Sequence, residues 1–251
     1  MKLTTFKFLI QTRLIIVPFL PLLLMPYTIS AQVNEPPLER LIDTVESVYG
    51  LNDLLIQGKP YAFPDKRIKG NPYFQGKSWI DANLYIDGHC FEQKPIMYDV
   101  VKQSLILKAK LKLNKYRIIQ LNTSMIDSFK IENRLFVQCA HLLENKHESC
   151  YLEQICENRV TFARRYDKKF IGTYNAFTPE GKYSELKEKR YIISNGKANE
   201  VNSRRAFVRY FPGKVRKSIR LYMRNKNIKY SSTTPKRLKA LANFCFQKLK
   251  N

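Results

Sequence analysis

Cys139, His141, His147, Cys150 and Cys156 fall within 18 residues, in the stretch CAHLLENKHESCYLEQIC. Thiols and imidazoles this close together could hold a metal ion, or two of the thiols could join as a disulfide. The spacing is C-x-H-x5-H-x2-C-x5-C. Zinc shells pair ligands two to four residues apart at each end, and only His147 and Cys150 come near that. With a turn centred on Glu144-Asn145, two strands would set Cys139 directly opposite Cys150. Side chains alternate between the faces of a strand, so His141 and Cys156 would share the face of that pair while His147 pointed away. A four-ligand shell is strained in this register, and no metal is assigned. A cross-strand disulfide Cys139–Cys150 is geometrically open; another pairing among the three cysteines, or none, stays open beside it. Five cysteines leave at least one thiol free. Cys245, on an apolar helical stripe, suits a buried thiol acting as a small hydrophobe.

His147-Glu148-Ser149 spells a catalytic trio in one line, but neighbours on a strand diverge and triads assemble from distant positions. No G-x-S-x-G, H-E-x-x-H, P-loop or G-x-G-x-x-G occurs. Asp81, Asp87 and Asp99, with His89 and His141, are the residues from which an acid–base pair could be assembled. Asp87 is better explained by its turn with Gly88, and Asp99 by a strand end. No catalytic residue and no cofactor is assigned. The expectation is a non-catalytic protein; the alternative is a hydrolase of unrecognised type with a carboxylate/histidine site on the β domain.

The 251-residue chain carries a net charge of +23. Residues 32–130 hold +3 of it and residues 131–251 hold +17; after Glu200 there are 15 Lys/Arg and no carboxylate. Ordinary solvated surfaces mix the two signs, so the asymmetry needs a cause. Arg204, Arg205, Arg209, Lys214, Arg216, Lys217, Arg220 and Arg224 are the candidate anion-binding residues, and with Lys226 and Lys229 they make ten cations in 26 residues. Solubility is the competing explanation, although a few charges suffice for that. Basic helices also suit nucleic acid, but an exported protein rarely meets it, so no nucleic acid is expected. The expected partners are an anionic glycan, lipopolysaccharide or lipid headgroups. Lys108, Lys110 and Lys112 alternate with apolar residues; they read as a solvated strand face that discourages edge pairing, or as an anion-binding stripe.

The elements that must position these residues follow from period and punctuation. Residues 1–31 show a basic head, an apolar run over Leu14–Leu24 and small residues Ser30 and Ala31, which is the pattern of a cleaved export signal. No later stretch is apolar enough to span a bilayer, and the leader's three basic residues would leave with it, lowering the charge to +20. Residues 32–52 read as a linker and one short helix on Leu38, Leu41, Ile42, Val45 and Val48. From 53 to 202 the period is that of strands, about ten of them, separated by tight turns at Asp87-Gly88, Lys102-Gln103, Glu132-Asn133, Glu157-Asn158 and Asn195-Gly196. No βαβ rhythm appears, which excludes a doubly wound fold and predicts an antiparallel meander, as a sandwich or partly open barrel. Residues 203–251 turn helical, with Ser203 as a cap, Pro212 and Pro235 at helix starts, and a C-terminal helical hairpin that is apolar on one side and basic on the other. The fold class is α+β, mainly β.

In order, LNDLLIQGKPY, GNPYF, YDVVKQSLIL, IQLN, IDSFKI, NRLFV, CYLEQICENRVTFARR, YIISNGK and RRAFVRYFPGKVRKSIRLYMRNKNIKY resemble a family of exported, uncharacterised Bacteroidota envelope proteins. The resemblance covers most of the chain beyond the leader. It implies a periplasmic, envelope or secreted protein, mainly β with a helical end, and brings no activity, cofactor or active-site residue. An aromatic stands in that pattern where this chain has Cys150, so the cysteine cluster is not a shared mark.

Overall fold

The computed structural model describes Leu55 and residues 57–250, except 112–114, 145–148, 158–159 and 173. The expected leader, the helix over 36–52, the tip of the Glu157-Asn158 turn and His147 lie outside the described residues.

Eleven strands form one antiparallel sheet in the order β1-β5-β4-β3-β2-β6-β7-β8-β9-β12-β13. The strands are β1 (Gly58–Pro60), β2 (Ile80–Ile86), β3 (His89–Asp99), β4 (Ser104–Lys110), β5 (Tyr116–Leu121), β6 (Ile126–Ile131), β7 (Arg134–Gln138), β8 (Tyr151–Glu157), β9 (Thr161–Asp167), β12 (Lys187–Ser194) and β13 (Lys197–Glu200). A small hairpin of β10 (Phe170–Ile171) and β11 (Lys182–Tyr183) stands apart from it. Four of the expected turns form where the sequence places them. Asp87, Glu132 and Asn195 have positive φ, as do Gly88 and Gly196, in links of two residues; Gln103, also at positive φ, ends a four-residue link between β3 and β4.

One connection forces the sheet to roll. β5 and β6 are separated by only Asn122–Met125, which form a short 3-10 turn. They are four strand spacings apart in the sheet, about 19 Å if it were flat, whereas five Cα steps reach at most about 17 Å. Rolling brings Tyr98 of β3 within 5.8 Å, ring to ring, of Tyr151 on β8, also four strands away. Gln103 laces the rolled layers: its Nε2 donates to the carbonyls of Val100 and Tyr166, and its Oε1 accepts from Tyr98 Oη. The edges β1 and β13 do not pair, so the sheet is not closed into a barrel.

The inner face holds two apolar clusters. One fills the roll with Leu84, Ile96, Tyr98, Phe129, Phe136 and Tyr151, topped by Leu55 and Phe74. The other lies where α2 (Arg204–Tyr210), α3 (Gly213–Asn225) and α4 (Pro235–Lys250) cover Phe162 and Ile192. Leu238, Leu241, Ala242 and Cys245 of α4 are buried there, and burial pushes the Cys245 thiol up to about 12. No helix among the described residues is long and apolar enough to cross a membrane.

The Cys139–Cys150 segment departs from a plain hairpin. Pairing stops when the Cys139 amide donates to the Cys150 carbonyl at 2.8 Å. The chain then makes one helical turn, α1 (Cys139–Leu142), and docks on the β12–β13 turn through Glu144 N–H to Gly196 O. His141 therefore leaves the strand face and is exposed. Cys139 and Cys150 are joined as a disulfide, with Cα atoms 5.3 Å apart. A bulge between Gln154 and Cys156 turns Cys156 onto the opposite face, where its thiol meets Asn243. Lys108 corrects a second expectation. β4 is an interior strand, and Lys108 Nζ lies 4.4 Å over the Tyr116 ring rather than guarding an edge.

The bridge closes a loop with a sequence separation of 11, for which chain entropy predicts about 3 kcal/mol. Cys139→Ser should lower urea-unfolding stability by that order, and reductant should have the same effect on the parent protein and none on the variant.

Candidate anion-binding cleft

Amphipathic spacing places the cations. On α3, Val215, Ile219 and Met223 are buried against the sheet side. Lys217, Arg220, Leu221 and Arg224 recur at i, i+3, i+4 and i+7, which brings them to one outer face. That face forms a cleft of about 570 Å³ with Arg204 at the start of α2 and Lys229 of the connector. Five cations and the half-exposed Leu221 line it, and among the described residues no carboxylate does. Among the described residues none of the five is in an ion pair. Clustered like charges in a concave surface focus a positive potential and repel one another until an anion enters.

Of the eight residues expected to bind anions, Arg204, Lys217, Arg220 and Arg224 meet in this cleft; Arg205, Arg209 and Lys214 are exposed outside it. Arg216 has a different task. Its Nε donates to Phe211 O at 2.7 Å and its Nη2 to Arg209 O at 2.9 Å, satisfying carbonyls that the end of α2 leaves free. Ser203 caps the other end of α2, accepting from Ala206 N–H.

The cleft wall is pinned from beneath. Tyr230 is buried, and its hydroxyl donates to Val201 O. The Arg190 guanidinium donates to the carbonyls of Tyr230 and Ser231 and lies 4.7 Å over the Tyr230 ring. Arg190 ends a row of charges across β7, β8, β9 and β12, buried at Glu153, Arg164 and Arg190. Glu153, 2 % exposed, accepts from Arg134, Arg164 and the Tyr166 hydroxyl; Glu188 then bridges Arg164 to Arg190. Burial alone would raise the Glu153 carboxyl, but the Arg134 hydrogen bonds, the Arg164 and Arg134 charges and the Tyr166 hydroxyl outweigh it and hold it below the ordinary range. Sequence reasoning missed this row because its members are spread over four strands, β7, β8, β9 and β12. The only signal was a charge midway along strands that are otherwise buried.

The residues considered for hydrolysis do not share a site. His89 and Asp99 stand at opposite ends of the 11-residue β3, about 33 Å apart. Asp99 is buried, and burial raises its carboxyl despite hydrogen bonds from the Val101 and Lys102 amides. Asp81 is exposed on β2. The Asp87-Gly88 turn and His141 approach each other only through Asp127, which accepts from Gly88 N–H and lies 3.4 Å from His141 Nε2. Among the described residues no group of three His, Cys, Asp or Glu side chains is placed to hold a metal.

No protein-family model matches the chain, and neither does any curated protein or any solved structure.

A carboxylate with a depressed pKa adds stability above its unfolded value and loses it as the pH falls through the folded one. Glu153→Gln should therefore cost about 3–5 kcal/mol at neutral pH. In urea unfolding the gap to the parent protein should narrow as the pH drops below the ordinary value of 4.5.

Proposed function

We propose that this protein is an exported, non-catalytic component of the cell envelope that binds an anionic partner through the cleft between α3, the start of α2 and the connector. The carrying observation is the convergence of Arg204, Lys217, Arg220, Arg224 and Lys229 in one concavity that, among the described residues, no carboxylate lines. A surface needing charge for solubility alone would not gather cations against their own repulsion. Arginines suit the partner, because the planar guanidinium grips phosphate or carboxylate in two-pronged fashion. The export pattern at residues 1–31 and the resemblance to exported Bacteroidota proteins support an envelope setting. Acidic glycans, lipopolysaccharide phosphates and anionic lipid headgroups are the partners of that chemistry.

Binding should be measured against a sulfated glycan, lipopolysaccharide and phosphatidylglycerol vesicles, each at low and at high salt. At least one should bind in low salt and weaken steeply as salt rises, since exposed charges are screened within about 10 Å at 0.1 M. Arg220→Glu with Arg224→Glu should weaken it about a hundredfold, and Arg205→Glu with Arg209→Glu by about tenfold at most, since only the first pair faces the cleft. Absence of binding in low salt, or equal losses from the two pairs, would reject the proposal.

A further inference from the structure

A second concavity lies on the outer face, far along the sheet from the helices. It measures about 340 Å³, within the range of about 300–1,000 Å³ for small-molecule sites. Phe63, Tyr73 and Tyr183 line it, with Asp65, Lys66 and Lys77 around them. The rings are held in place. Tyr73 is buried, with its hydroxyl 3.3 Å from that of Tyr61, which donates on to Asp99 Oδ2. Phe63 packs edge-on against the Tyr61 ring at 5.3 Å. Gly70 has a φ of +85°, a backbone turn that suits glycine, and it lies beside the Tyr183 backbone and Cβ. Asp65 is fixed by Arg67, which donates to both of its oxygens.

The aromatic surface continues outside the pocket. Phe170 meets Tyr183 at 5.5 Å, and Gly181 leaves the space that the Phe170 ring occupies. Tyr174 Oη and Phe170 Cε1 both come within 4 Å of where a side chain on Gly172 would begin. Phe63, Phe170 and Tyr174 are 53 %, 44 % and 65 % exposed. Large rings left in water at a concavity mark a binding surface.

We infer that this pocket binds a saccharide, one ring within it and the next along the strip of Tyr183, Phe170 and Tyr174. The flat apolar face of a pyranose packs on an aromatic ring, and its hydroxyls need donors and acceptors together. Lys66, Lys77 and the outer lone pairs of Asp65 supply both around the rim. Rings already fixed in the free protein lose little freedom on binding. The site is independent of the cationic cleft and stands whether or not that cleft binds anions.

Trp79, the chain's one tryptophan, packs against the cluster of Tyr61, Tyr73 and Met97 behind the pocket and gives a built-in reporter. The full chain should be titrated with neutral trisaccharides of glucose (α- and β-linked), N-acetylglucosamine and mannose, in high salt to silence the cleft, following Trp79 emission and heat together. A saturable response to at least one is expected. Phe63→Ala, which removes a half-exposed ring and its edge contact with Tyr61, should weaken it about tenfold, and Arg220→Glu with Arg224→Glu should leave it unchanged. Silence in both readouts for all four sugars would overturn the inference. So would a response that Phe63→Ala does not alter, or one that the Arg220/Arg224 pair abolishes.

Discussion

The molecule depends on one charged carboxylate held out of water by its partners. Glu153 is ionised among five hydrogen bonds from Arg134, Arg164 and Tyr166, and an unpaired charge at that depth would be intolerable. Every partner must therefore be present and in position. Arg134 is held by its own packing, lying 4.5 Å over the Phe74 ring at the mouth of the roll. Arg164 must pass on its second contact to Glu188, and Glu188 to Arg190. The row thus runs from one apolar cluster to the other, and its far end grips the connector between α3 and α4. An unbroken apolar face would hold the helices against the sheet at many registers. Directed bonds to the carbonyls of residues 230 and 231 select one.

That selection is what gives the outer face of α3 its setting. Once the connector is fixed, Lys229 stands across from Lys217, Arg220 and Arg224, and Arg204 closes the side. The charges that are fully satisfied lie inside, and those left without partners lie outside. Arg216 and Arg190 show the division within one sequence class. Both are arginines among many, yet both spend their donors on carbonyls where the chain changes direction.

Local features of this fold were legible in the sequence because local chemistry dictates them. Asp87-Gly88 and Asn195-Gly196 tolerate positive φ, and the chain turns there. Ser203 could cap and does. The i, i+3, i+7 spacing of Lys217, Arg220 and Arg224 sets them on one helix face by local geometry alone. Strand order was not legible across Leu121–Ile126, because a four-residue link normally joins neighbours and here spans a roll. Nor was the departure at Cys139, where the pull comes from the distant Gly196 carbonyl. The Gln154–Cys156 bulge is similar: one extra residue reverses a face, and alternation read from Cys150 then misplaces Cys156. Lys229 joins the cleft only through the connector's path, which rests on Arg190. The aromatic pocket was not legible because Phe63 and Tyr73 meet Tyr183 only through the fold, from stretches far apart in the chain.

An open sheet keeps two rims, and here both are blunt. β1 has three exposed residues ending in Pro60, which has no amide hydrogen to offer, and β13 has four exposed residues, Lys-Ala-Asn-Glu, with a charge at either end. A second copy approaching either rim would find too few bonds to lengthen the ladder and a charged side chain in its way. A chain with so much strand thereby blunts both rims without closing its cylinder.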